Sequence, residues 1–132
     1  MPLTVKDTRA LAVLLVDYLE ANGIGTLATD LFIQQLPESP QAGTVVACTG
    51  GPVDPADPTR RISFQIQHRN PSAEQGLRKV VQINNLLNDK WNVLTCFPGR
   101  IVAQGEAGLS FKDASGNFIF PLDYVIVSTT QR

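Results

Sequence analysis

The sequence is poor in the residues that do most metal and nucleophilic chemistry. It holds one histidine, His68, and two cysteines, Cys48 and Cys96. Set this far apart, they fail every spacing rule for a zinc site. A reactive thiol needs an electropositive, accessible setting such as a helix N-terminus, and neither cysteine has one nearby. Both lie in apolar, strand-like stretches and read as small buried hydrophobes that a cytoplasm keeps reduced. The expectation is a fold with no metal, no cofactor and no disulfide.

An excess of charge of either sign is missing as well. Eleven lysines and arginines face twelve aspartates and glutamates, a formal net charge of −1. Without a dominant field, strong nonspecific attraction to nucleic acid or to an anionic membrane is not expected. Long apolar runs are also lacking. The stretch from Leu11 to Val16 is short and soon meets Asp17 and Glu20, unlike a signal peptide. No segment approaches the roughly 20 apolar residues that span a bilayer. The chain is expected to fold in the cytoplasm where it is made.

Phosphate-binding loops fail on their surroundings. Gly50-Gly51 is followed by prolines, whereas a P-loop continues to Gly-Lys-Ser/Thr and opens a helix. Gly23-x-Gly25 follows a helical pattern, where the dinucleotide fingerprint requires a strand. Asp54 and Asp57 share a loop without the dense acidic spacing, glycine and closing glutamate of a calcium loop. They read as solvated loop charges.

What remains is ample for one folded domain spanning residues 1–132. Hydrophobic residues make up 43% of the chain and charged residues 17%, a profile that builds a core and is far from that of disorder. A helix is expected from about Thr8 to Asn22, capped by Asp7 or Thr8. Its Leu11, Leu14, Leu15, Tyr18 and Leu19 form one apolar stripe, and Gly23 offers the left-handed exit. Strands follow at Leu31–Leu36 and Thr44–Thr49, with Pro37 and Pro40 bracketing the turn between them. The unbroken apolar run from Val45 to Cys48 points to a strand covered on both faces.

Residues 50–60 form an exposed arm, because Pro52, Pro55 and Pro58 each lack a backbone donor. Arg61–Arg69 then alternates, with Ile62, Phe64, Ile66 and His68 on one side and Ser63, Gln65, Gln67 and Arg69 on the other. A second helix starts either with Asn70 as cap before Pro71 or with the capping box Ser72-x-x-Gln75. Leu77, Val80, Val81 and Leu87 are expected to face the core, with Ile83 as a further candidate, and Asp89 or Asn92 ends the helix. Strands Val93–Phe97 and Arg100–Gln104 flank Pro98-Gly99. Strands Leu109–Lys112 and Asn117–Ser128 flank a hairpin loop from Asp113 to Gly116, and Pro121 predicts an edge or a bulge in the last of them. The order α-β-β-β-α-β-β-β-β makes the fold α+β, a mostly antiparallel (mixed) sheet with two helices packed on one face.

Two residues carry alternative readings. His68 shares a strand face with Ile62, Phe64 and Ile66, so it is either a hydrogen-bonded residue at the border of the core or a general base or metal ligand, and no motif supplies the positioned partner a base needs. Trp91 either anchors a partner protein or packs across the end of the second helix.

Three stretches together carry a family resemblance. They are Ala21-Asn-Gly-Ile-Gly-Thr-Leu27, continuing through Asp30-Leu-Phe-Ile33 to Leu36-Pro-Glu-Ser-Pro40; then Val45–Gly51, ending Thr49-Gly-Gly-Pro52; then Gln67-His-Arg69-Asn70 leading into a helix. In this order they resemble small phage minor capsid proteins, which in turn look like the tail terminator proteins of long-tailed bacteriophages. The resemblance runs from about Leu11 to Tyr124 and rests on structural turns, with no catalytic signature.

It implies a virion protein that is not an enzyme and is made in the host bacterial cytoplasm. Such subunits form a closed ring, usually sixfold, on the last ring of the tail tube. The ring stops tube polymerisation, meets the neck or head-completion protein, and lets phage DNA pass without sequence-specific binding. The residues suit such a role. A ring needs two different complementary surfaces on each subunit, and exposed strand edges could pair between neighbours. The arm is long for a connection in so small a domain. Pro52, Asp54, Pro55, Asp57, Pro58, Arg60 and Arg61 are therefore the candidate interface with another subunit or a partner. The competing reading is a small cytosolic enzyme or ligand-binding domain with a site around His68.

Overall fold

The computed structural model describes residues 8–37, 42–50, 59–94, 99–105 and 110–129. The elements come in the expected order: α1 (Thr8–Ala21), β1 (Leu31–Ile33), β2 (Gly43–Gly50), β3 (Thr59–Asn70), α2 (Ala73–Leu87), β4 (Lys90–Trp91), β5 (Arg100–Ala103), β6 (Phe111–Lys112) and β7 (Phe118–Thr129). Cys96, Pro98 and the arm's Pro52, Asp54, Pro55, Asp57 and Pro58 lie outside the described residues.

The strands form one mixed sheet in the order β1-β2-β3-β7-β5-β4, with β6 paired to the start of β7. β1 runs parallel to β2, and every other pairing is antiparallel. The alternation read in β3 fixes the two faces. Ile62, Phe64, Ile66 and His68 are buried beneath the helices together with Val46 of β2 and Phe120, Leu122, Tyr124 and Ile126 of β7. α1 covers β1 and β2, and α2 covers β3, β7 and β5. The helices are tied side by side where the Tyr18 hydroxyl donates to the Leu86 carbonyl at 2.8 Å.

The helix ends are set by local chemistry. Gly23 takes φ +82, which lets the N–H of Ile24 reach the Leu19 carbonyl and that of Gly23 reach Glu20. This is the paired bond pattern of a glycine-terminated helix, closed by the apolar contact of Ile24 with the core. At the start of α2 the second of the two sequence signals sets the cap, and Asn70 and Pro71 stand before the helix. Ser72 caps the helix by accepting from the N–H of Gln75, and Asn70 Oδ1 accepts from the N–H of Ser72.

Two expectations are corrected. Leu77 and Val81 are each 43% exposed, and α2 instead buries Gly76, Val80, Ile83 and Leu87. Gly76 is what turns the helix that way: a Cβ on it would stand 2.3 Å from Phe120 Cε1, so only glycine permits this approach to β7. β1 stops at Ile33 because Gln34 turns to φ +69. Of the strand expected at Val93–Phe97 only Val93 and Leu94 are described, and neither belongs to a named strand; the rest lies outside the described residues. Just before it, the two-residue β4 is bracketed by Asp89 and Asn92 at φ +59 and +53, which short Asx side chains tolerate. Of the two readings of Pro121 the edge holds and the bulge does not, since β7 keeps continuous register with β3 from Phe118 to Thr129. On its other side Pro121 falls between the stretches paired to β5 and β6.

Val45 is buried although it points away from the helices. The stretch from Gln34 to Pro37 curls over that corner, with Leu36 against Gly43 and the Arg69 guanidinium donating to the Pro37 carbonyl. β2 is thus covered on both faces, as its lack of alternation predicts.

Candidate interaction surface

His68, the candidate base, is locked into the core at 3% exposure. Asn70 Oδ1 already accepts from Ser72, so its amide nitrogen donates to His68 Nε2 at 3.2 Å. That leaves Nδ1–H to donate to Thr44 Oγ1 at 2.9 Å. Both ring nitrogens are satisfied only in the neutral imidazole. Burial lowers the pKa to about 4, helped by the nearby charge of Lys79, with the Gly43 carbonyl and Asp30 pulling weakly the other way. A buried, saturated, neutral ring with no path to substrate is a structural residue.

Cys48 is half-buried on β2, and burial pushes its thiol up to about 12. It is a poor nucleophile at any physiological pH. Among the described residues, no group of three or more His, Cys, Asp or Glu side chains comes together that could hold a metal ion.

The face of the sheet opposite the helices is where the exposed functional groups gather. Directly opposed residues share a face, so the registers define rows across it. Arg61 of β3 pairs with Val127 of β7, Val127 with Arg100 of β5, and Arg100 with Trp91 of β4. One row of four strands therefore reads Arg61–Val127–Arg100–Trp91. Trp91 is 64% exposed, which settles its two readings against packing across the helix end. The Arg100 guanidinium lies 5.6 Å from its ring centroid and is held from behind by the Asp89 carboxylate, Nη2 to Oδ1 at 2.6 Å.

The ledge that carries Trp91 is itself pinned. Asn92 exchanges bonds with Gly99, through its N–H to the Gly99 carbonyl and its side-chain oxygen from the Gly99 N–H. The Asp89 N–H bonds the Ile101 carbonyl, and Asn88 Oδ1 accepts from the Ala103 N–H.

Of the interface residues expected from sequence, Arg60 and Arg61 lie in β3, and Arg61 is exposed at one end of this row. The structure adds Arg100 and joins Trp91 to it.

Further along the same face the chemistry turns neutral. Gln67 donates to Gln65, and Gln65 to Asp123 Oδ1, at 3.0 and 2.9 Å. A shallow hollow of about 330 Å³ lies beside them, lined by Gln34, Gln35, Leu36, Val45, Ala47, Gln65 and Gln67. It contains no titratable group to drive acid–base chemistry. Gln34 is the centre of a rare positive-φ γ-turn, with the Gln35 N–H bonded to the Ile33 carbonyl at 2.8 Å. Its side chain accepts from the Cys48 N–H, standing in for the next residue of β1.

Among the described residues the remaining large exposed apolar side chains are Val13, Leu27, Leu77, Val81 and Phe111. They lie on several sides of the domain, so contact is not confined to one patch.

Residues 18–130 match the family described as bacteriophage tail terminator protein. No curated protein matches the sequence. A solved structure with 12% identical residues superposes with a TM-score of 0.61, covering 95% of each chain. At that identity the likeness speaks for the shared fold.

Proposed function

This chain belongs to the bacteriophage tail terminator family, a structural component of the phage tail, and we propose that it acts as a closed ring at the head-proximal end of the tail tube. The ring, sixfold as is usual in the family, stops tube polymerisation and joins the tail to the neck. Its partners are further copies of itself, the tail tube protein and the neck or head-completion protein, all within the virion. Phage DNA passes through the lumen without sequence-specific binding, in keeping with a net charge of −1. The family match carries the reading. A sheet with no helix on one face among the described residues, and on that face an exposed Trp91 with Arg100 against its ring, support an assembling role.

The arm is part of this proposal. Pro52, Pro55 and Pro58 bias it towards extended conformations, so ordering it on a partner costs little entropy. Asp54 and Asp57 keep it solvated, and Arg60 and Arg61 stand at its base. Negative-stain microscopy of the purified chain tests the ring: annular particles are expected, and a chain that stays monomeric at every concentration refutes it. Shortening Pro52–Pro58 to a brief Gly-Ser link tests the arm. Melting should barely change, since loop-closure entropy depends weakly on length, while ring formation or joining of tails to heads fails. Normal assembly of the shortened chain makes the arm an idle loop.

A further inference from the structure

The basic, aromatic row Arg61–Val127–Arg100–Trp91 has a counterpart on the other side of the molecule. On α1, Val13, Asp17 and Glu20 are exposed at i, i+4 and i+7, one outer stripe of the helix. Leu27, 45% exposed, extends it, because its N–H donates to Glu20 Oε2 at 2.9 Å. We propose that these two surfaces are the two halves of the subunit contact, the α1 stripe of one copy lying against the Arg61–Trp91 row of the next. This deepens the ring reading and rests on it.

The halves match in charge and in apolar content. The Arg61 guanidinium and that of Arg100, the latter already paired with Asp89, face the two carboxylates of Asp17 and Glu20. Val127 and the Trp91 indole face Val13 and Leu27. They also match in reach. Four strands at ~4.8 Å spacing make a row about 14 Å long, and Val13 to Glu20 rises about 10 Å along the helix before Leu27 lengthens it. A single copy cannot bring them together, since α1 packs on β1 and β2 from one face of the sheet and the row occupies the other. Each copy therefore presents one of each, which is a heterologous contact that closes into a ring when its rotation allows. The Trp91 ledge is fixed before contact by the Arg100 stack, the Asp89 ion pair and the Asn92–Gly99 bonds. A preorganised tryptophan beside an arginine is the composition of an interface hot spot.

A charge swap tests this, read by sedimentation velocity across a concentration series. Arg61→Glu and Asp17→Lys are surface changes and should leave the melting temperature close to wild type. Each alone should raise the concentration needed for assembly about ten- to a hundredfold, as should Trp91→Ala, while Arg61→Lys assembles normally. Combining Arg61→Glu with Asp17→Lys should restore most of the loss. If the wild type forms rings and the single variants do so equally well, or the double variant fails to recover, the rows do not meet and the proposal falls with the ring intact. A wild type that never assembles overturns the ring reading and this contact with it.

Discussion

Replacing Gly76 with alanine should destabilise the protein, against the usual rule for helices. In a helix interior Gly→Ala ordinarily gains about 1 kcal/mol. Here the new Cβ would stand 2.3 Å from Phe120 Cε1, 2.9 Å from Cζ and 3.1 Å from Cδ1, where carbon atoms rest at about 3.5–4.0 Å. The ring is 2% exposed and has the His68 ring at 6.4 Å on another side, so it cannot retreat into solvent. Overpacking of this kind costs about 1–3 kcal/mol, which outweighs the propensity gain and leaves a net loss of up to about 2 kcal/mol. Thermal melts and urea titration read it, with a fall in melting temperature of roughly 3–5 °C per kcal/mol lost. Phe120→Leu supplies the control, since trimming the ring removes the clashing edge. In that background Gly76→Ala should become neutral or stabilising, a coupling of about 1 kcal/mol or more in the double-mutant cycle. A rise in melting temperature from Gly76→Ala alone would refute the close approach of α2 to β7.

Phe64 is 1% exposed and stacks on Tyr124 with centroids 5.3 Å apart, so Phe64→Ala should cost about 3–5 kcal/mol by urea titration, and a loss below ~1 kcal/mol would mean the site collapses or is open. Folding holds His68 near a pKa of 4 against its ordinary 6.5. Between those values the unfolded chain takes up a proton that the folded chain refuses, so stability is full above about pH 6.5 and falls with acid by up to about 1.4 kcal/mol per pH unit. His68→Gln should flatten that limb, and an unchanged limb would exclude His68 as its source. Ala28 sits at φ +68, a region that strains a Cβ by about 1–2 kcal/mol, so Ala28→Gly should stabilise the fold by about 0.5–1 kcal/mol despite its added chain entropy. A lower melting temperature would contradict the left-handed turn.

The parts of this fold that were legible in the sequence are those whose signal is a residue's own side chain. β3 reads correctly because Ile62, Phe64, Ile66 and His68 alternate against polar partners, and one face of the sheet is buried. The end of α1 reads correctly because Gly23 announces it. α2 was misread for the opposite reason. Two apolar stripes overlap on it, one through Leu77, Val80 and Val81 and one through Val80, Ile83 and Leu87. The second wins because of a residue with no side chain at all. Hydrophobic patterning gives Gly76 no weight, yet the gap it leaves is what seats the helix on Phe120. The Arg61–Val127–Arg100–Trp91 row was illegible on different grounds. It exists only through three strand registers at once, and alternation tells which face a residue takes without telling which residue stands beside it.

The edges of the sheet bear on how copies can meet. An open strand edge invites pairing with another chain, one route by which neighbours could meet besides the arm. Among the described residues both outer edges are blunted. β1 has three residues, and the turn before it folds alongside: Leu27 bridges to Leu31, and the Thr26 carbonyl accepts the N–H groups of Thr29, Asp30 and Leu31. β4 has two residues, held between the left-handed Asp89 and Asn92, which turn the chain away on either side. A neighbour adding a strand at either edge would gain two or three ladder bonds at most. The face opposite the helices offers far more: the Arg61 to Trp91 row, half-buried Val102 and Val125 beside it, and the glutamine ladder beyond. Face contact also needs no strand pairing between copies, so assembly through it does not template fibres. The proposed role, assembly only at one end of a growing tail, calls for that restraint, and short edges with a side-chain docking face are a physical way to have it.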